Sequence, residues 1–350
     1  MMKRIIILFI LFSSTIACKK EGDTKHYSSD QFIIRLNSPD IRECALNIPM
    51  GAPALFYTGN RLWALDYRAY TEHVIYELSG DNYGIAKGYL KIGRGPGEIT
   101  RAGDVTVHGG KVYVNDNGRS SIWVFSLDSM LFNPDIINGK EILINDGYIL
   151  SNMYFVNDSI AVSLAVHPLS TSTFEEKVVK GNIRSYEFSE WGYEHPEAIG
   201  RTISSSKLVR LKDGGFARCY LWLDIITILN PDGTLRYNIY GSHWRRHDVG
   251  EYEFCHDICA YKDYFLVSYV GDVSDITDRN GRSRGNLPTR VLVFGNEGNH
   301  LATIEFGEKF NRMAVDEQKQ RLVITFYERD AMLGYIGLEP IFRTITQTIK

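Results

Sequence analysis

The sequence predicts an all-β chain, folded as a six-bladed β-propeller of four-stranded antiparallel blades, the last blade closed by the N-terminal strand. One observation is a recurring hairpin: an alternating apolar strand, a short polar turn (most often with Gly, Asn or Asp), and a second alternating strand. Another is its period. The equivalent apolar positions Leu62, Val112, Ile160, Phe216, Phe265 and Leu322 are separated by 50, 48, 56, 49 and 57 residues, a near-constant step. Such a step suits one four-stranded sheet with its loops. The third is that further apolar runs follow the hairpins, while stretches of helical period are scarce. One such sheet cannot bury both its faces. Six stacked around an axis cover each face with a neighbour and leave only short edges.

The hairpins occupy 55–66, 104–116, 153–162, 208–218, 258–267 and 313–324. Third strands are expected at 73–78, 121–125, 183–188, 225–229 and 290–294, and fourth strands at 88–92, 141–144, 235–240 and 301–306. The third copy is least regular, because 191–199 holds Pro196 and little alternation. The sixth copy ends after 331–337, one strand short, and the apolar run at 31–36 has no partner of its own. Residues 31–36 are therefore expected to complete the last blade, which assigns 31–350 to the propeller.

Residues 1–18 read as an export signal. Lys3-Arg4 precede an apolar run at 5–12 and mostly small residues before Cys18. The run is too short for a hydrocarbon layer of roughly 30 Å. Thr15-Ile16-Ala17-Cys18 resembles a bacterial lipobox, with Thr15 where Leu is usual, which implies cleavage before Cys18 and lipidation of its thiol. A secreted protein cut after Ala17 is the alternative. Lys19, by resemblance to Gram-negative lipoproteins, favours the outer membrane, on its periplasmic or surface side. Residues 19–30 are expected to be a flexible tether.

The chain is 44% hydrophobic and 23% charged, with a net charge of −3. Loss of the leader leaves 37 basic against 42 acidic residues, and no basic stripe is visible, so nucleic acid is not expected as a partner. Cys44, Cys219, Cys255 and Cys259 allow three disulfide pairings, among which spacing does not choose. A bridge from Cys255 to Cys259 is disfavoured if that segment is extended.

Gly95-Pro96-Gly97-Glu98-Ile99, Val105-Thr106-Val107, Val112-Tyr113-Val114, Asp116 and Ile122-Trp123-Val124-Phe125 together resemble one NHL-type repeat. The other five copies match it faintly. With the leader, the six units resemble the TolB-like six-bladed propeller lipoproteins. The resemblance implies the fold and an envelope location. It implies no single chemistry, since such propellers include binding scaffolds and some enzymes.

In a propeller the segments entering the inner strands ring one mouth of the central channel. Here they bring together Arg101, Asp104, Asn152, Lys207, His256, Asp257 and Arg312, a polar set of mixed charge and the expected ligand-binding site. Arg94 and Glu98, in the glycine-rich crossing loop, are candidates beside it. That loop is not a phosphate cradle: Pro96 intervenes and a strand follows, where a P-loop needs Lys-Ser/Thr and a helix. Trp191, Tyr193 and Trp244 fall outside clear strands and are candidate ligand contacts.

No metal and no cofactor is expected. His243, His247, Cys255, His256 and Cys259 are zinc-compatible types, but Trp244-Arg245-Arg246 makes their loop basic and Cys259 falls in a strand. An amidating lyase with NHL-like blades uses channel histidines and zinc, and here only His256 falls at a channel-mouth position. Residues 272–281 alternate oxygen ligands without the spacing of a calcium loop, and read instead as a polar insertion over 271–288. No Gly-x-Ser-x-Gly elbow is present. The expected function is an envelope-anchored binding or scaffold propeller, contacting a protein or glycan through the mouth, without catalysis. The alternative is a hydrolase or lyase using Arg101, Asp104, His256 and Asp257.

Overall fold

The computed structural model describes residues 23–46, 53–67, 71–135, 138–144, 148–170, 174–199, 205–245, 250–277, 283–326 and 329–349. Blade one comprises Ala54–Thr58, Arg61–Leu65, His73–Ser79 and Ile85–Lys91. Blade two comprises Ala102–His108, Lys111–Asp116, Ser121–Ser126 and Lys140–Leu143. Blade three comprises Ile149–Phe155, Ile160–Pro168, Phe174–Asn182 and Glu187–Glu190. Blade four comprises Ser206–Arg210, Phe216–Tyr220, Ile225–Leu229 and Leu235–Tyr240. Blade five comprises Tyr252–Tyr261, Tyr264–Val273, Arg290–Gly295 and His300–Glu305. Blade six comprises Phe310–Asp316, Arg321–Phe326, Leu333–Gly337 and, from the other end of the chain, Arg42–Cys44. Each inner strand packs beside the next, and the inner strand of blade six returns to that of blade one, so the ring is closed.

The core is divided among the six seams. Trp63, Leu65, Val105 and Val114 fill the seam between blades one and two, and Tyr113, Met153 and Phe155 the next. Leu164, Leu208 and Phe216 join blades three and four, while Cys219, Ile226, Cys255 and Phe265 join four and five. Leu266, Val291, Val315 and Ile324 join five and six, and Leu55, Ala64, Ala314 and Val323 complete the circle. Every blade thus buries both faces. An inner strand still has one unpaired edge. Side chains of the preceding blade bond to it: Thr58 Oγ1 donates to Val107 O (3.3 Å), Thr106 Oγ1 to Met153 O (2.9 Å) and Tyr154 OH to Leu208 O (3.2 Å).

Several expectations need correction. The last blade is closed by an N-terminal strand, but by Arg42–Cys44, antiparallel to Leu333–Gly337, rather than by 31–36. Within the latter, Ile33–Arg35 lies parallel to His300–Glu305 as a fifth strand outside blade five. A three-residue strand with two charges carries no alternation to find. Thr24–His26 likewise lies parallel to Leu235–Tyr240 outside blade four, so the expected tether is ordered from this point. Tyr27 fixes it there: its ring meets Phe294 edge-on and its hydroxyl donates to Asp224 Oδ1 (2.5 Å). The third strand of blade three is Phe174–Asn182, not 183–188; its charges hid it, because its outer half stands in solvent. The chain also ends in a helix, α1 (Leu338–Ile349), whose Leu338, Ile341 and Ile345 bury against blades five and six. Part of the insertion over 271–288 is itself a small hairpin, Asp275–Thr277 with Ser283–Gly285.

Candidate functional site

Of the residues expected at the mouth, Asp104, Asn152, Lys207, Asp257 and Arg312 stand at one level of the inner strands, and a backbone device places four of them. The inner strands of blades two, three, five and six carry register shifts near Asp104, Asn152, Asp257 and Arg312. A bulge of this kind re-aims a side chain out of regular alternation. Asp104 Oδ1 accepts the N–H of Val105 (2.8 Å), and Oδ2 accepts that of Met153 in the next blade (3.1 Å). Asp257 repeats the pattern, with Oδ1 on Ile258 N and Oδ2 on Met313 N, both at 3.1 Å. Asn152, held at φ 49°, accepts from Leu208 N through Oδ1 (3.2 Å). Lys207 and Arg312 occupy the same level in blades four and six, each just before the residue so bonded. Ala54 occupies it in blade one.

Asp104 is buried, and burial raises its carboxyl from 3.8 to about 6 despite the amides of Met153 and Val105 and the charge of Lys207. Burial lowers the Lys207 ammonium, and the like charge of Arg312 adds to that; Asp257, Asp104 and Glu176 oppose it. Neither cation makes an ion pair with a described residue. Arg312 Nη1 donates to His256 O at 3.4 Å, and its Nε is buried without a partner among the described residues.

Inside the ring, a cavity of about 820 Å³ runs from Asp104, Asn152 and Asp257 to the opposite face, where His108, Lys212, Lys262 and Glu317 border it. Arg101, Lys207, His256 and Arg312 are not among its walls. The charged level therefore separates the cavity from the mouth. On the mouth side two hairpins stand tall. The middle strands of blade three are 9 residues long, and the first two of blade five are 10, against 3 to 7 for the other strands of the blades. Their ends expose Leu169, Phe174 and Val273.

The other expected residues divide. Arg101 is exposed, and its backbone N–H donates to Asp116 Oδ1 (2.9 Å). Asp116, the acidic position of the NHL-like repeat, also accepts from Thr100 N (2.8 Å) and Gly118 N (3.0 Å), so it caps the crossing loop. Glu98 turns inward, accepting from Gly95 N (2.7 Å) where a Cβ on Gly93 or Gly95 would crowd it. Arg94 is exposed and its carbonyl accepts from Arg119 Nη2 (2.7 Å). These two side chains belong to the loop rather than to the ring.

Among the described residues, the zinc-compatible ones form no group of three or more that could hold a metal. His243 lies by Asp224, Cys255 lies in the seam with Cys219, His256 pairs with Glu253 at 2.7 Å, and Cys259 lines the cavity. His247, Cys18 and residues 278–282 lie outside the described residues. Trp191 packs edge-on to Phe216, Tyr193 accepts from Asn238 Nδ2 (3.1 Å), and Trp244 packs on Tyr240, so all three have partners in the fold.

Two groups went unread in the sequence. Glu253 meets His256 because two register shifts fall between Glu253 and Asp257; in a regular strand these side chains would point to opposite faces. Arg218 is buried in an apolar strand of blade four, where Nη1 donates to both oxygens of Glu194 (2.7 Å) and Nε donates to Ser206 Oγ (2.8 Å). Glu176 of blade three completes the group, 3.4 Å from Nη2. A lone arginine amid apolar strand residues was the available signal.

These features define a six-bladed β-propeller. No protein-family model and no curated protein matches the chain. Solved structures do. The chain is similar to a member of the DUF4221 family from Bacteroides vulgatus, with a TM-score of 0.52 and 10% identity over 86% of this chain and 94% of that one. It is similar to the WD40 repeats of RRP9, at 0.53 and 12% over 86% and 98%. It is also similar to part of the extracellular domain of a putative hybrid two-component system from B. thetaiotaomicron, at 0.50 and 11% over 89% of this chain and 35% of that one. At such identities the likeness is one of fold.

Proposed function

We propose that the chain is an envelope-anchored binding module that takes a protein or glycan ligand at the charged mouth, between the tall hairpins of blades three and five. The observation that carries this is the division of labour at the ring. Both ring carboxylates have each oxygen on a backbone amide, which suits holding blades together, while cations and exposed apolar tips are left toward the mouth. Photo-crosslinking residues placed at Arg101 and Leu169 are expected to trap a defined partner in intact cells, and the same probe at Lys111, on the opposite face, is not. Equal adducts from both faces, or none, would overturn the reading. Anchoring through Cys18 predicts that Cys18→Ser moves the protein from the membrane fraction to the soluble one; unchanged retention removes the anchor.

One contact favours a second reading, a hydrolase or lyase. His256 and Glu253 form the hydrogen-bonded base and orienting acid that such chemistry uses. Turnover of any ester or glycan substrate that is lost in Glu253→Gln would establish it. Turnover unaffected by that change would exclude this pair.

A further inference from the structure

We propose that Lys207 and Arg312 form an oxyanion site on the propeller axis, holding a carboxylate, sulfate or phosphate group of the ligand. The proposal rests on the reading of the mouth as a ligand surface and adds the chemistry that the surface selects.

The argument is one of unequal satisfaction at a single level of the channel. Four charged side chains meet there, two of each sign. The acids are turned into the seams, each oxygen of Asp104 and Asp257 accepting a backbone N–H. The cations are not. The Lys207 ammonium has no hydrogen bond or ion pair with a described residue, and the Arg312 guanidinium has one long bond to a carbonyl and a buried Nε without a partner among the described residues. They come from blades four and six, on either side of blade five with its Asp257, and Arg312 lies close enough for its charge to disfavour that of Lys207. Asp257, Asp104 and Glu176 offset this only through space, and none bonds to either cation, so the two half-buried cations keep donors that an incoming anion can fill. The pair is also well matched to an oxyanion: a planar guanidinium presents a fork of donors, and an ammonium adds a compact point charge. Since neither side chain walls the inner cavity, the anion arrives from the mouth side.

The test is calorimetric titration of the whole exported chain, at low ionic strength, with inorganic phosphate, sulfate and methyl glucuronide, against neutral methyl glucoside. Saturable uptake of at least one anion, absent for the glucoside, is expected. Lys207→Met and Arg312→Met should each weaken it about tenfold or more, the loss of one charge-assisted contact. Lys111→Met, which removes an exposed cation from the far face, should not. Lys207→Met removes a poorly solvated charge and is expected to fold at least as well, so its unfolding midpoint separates lost binding from lost structure. No saturable uptake of any anion, or equal weakening in Lys111→Met, overturns the site. That result would leave the mouth as a ligand surface, which falls only if crosslinking from Arg101 and Leu169 also fails.

Discussion

Asp104 holds two backbone amides from a buried position, and burial has raised its carboxyl to about 6 from an ordinary 3.8. The folded chain therefore binds this proton more tightly than the unfolded chain does. Above about pH 6 the ionised group disfavours the fold, and this opposition disappears as the pH falls through 4. Its contribution to unfolding free energy should accordingly drop by on the order of 3 kcal/mol as pH rises from about 4 to about 7. Asp104→Asn keeps an acceptor for one amide and has no titration. Whatever its fixed offset, the variant should gain on the natural protein across that window, read from urea midpoints at each pH. Parallel profiles would show that Asp104 titrates normally. Residue types at this level were legible in the sequence, because the repeat aligns Asp104, Asn152, Lys207, Asp257 and Arg312 in five blades. Their hydrogen bonds were not, since they depend on bulges that no alternation pattern contains. Glu253 escaped for the same reason.

At the level of elements, the clasp of blade six is the most exposed to a single change. Gly334 faces Glu43 across the closing pair, and a Cβ there would lie 2.9 Å from Phe326 Cε2 and 3.1 Å from Arg42 O. Gly334→Val would have to push aside a ring and a backbone carbonyl. We expect a loss of about 2 kcal/mol, typical of overpacking a core, seen as a lower denaturation midpoint. An unchanged midpoint would mean that the clasp yields freely. The strands that pair within one repeat were readable, because local hairpins write both partners side by side. The clasp was misassigned by several residues because its partner lies at the far end of the chain. A run with stronger β character, 31–36, competed for the place and proved to be edge cover for blade five.

Across the whole molecule, residues 24–44 form a belt that touches the rims of blades four, five and six in turn before the chain enters blade one. The belt covers the outer edges Leu235–Tyr240 and His300–Glu305, which would otherwise offer unpaired N–H and C=O groups to another chain. Removing residues 1–36 should leave the clasp in place, so the ring is expected to fold. It should also self-associate, detected as concentration-dependent elution on size exclusion. A strictly monomeric truncation would show that the two rims need no cover.

The clasp has a consequence for how the protein is made. Arg42–Cys44 waits for Leu333–Gly337, which the ribosome supplies almost last, so during synthesis blade six stays open and its flanks stay wet. Pairing partners so distant in sequence carry a large search cost, and the final shutting of the circle is the step at which refolding should be slowest.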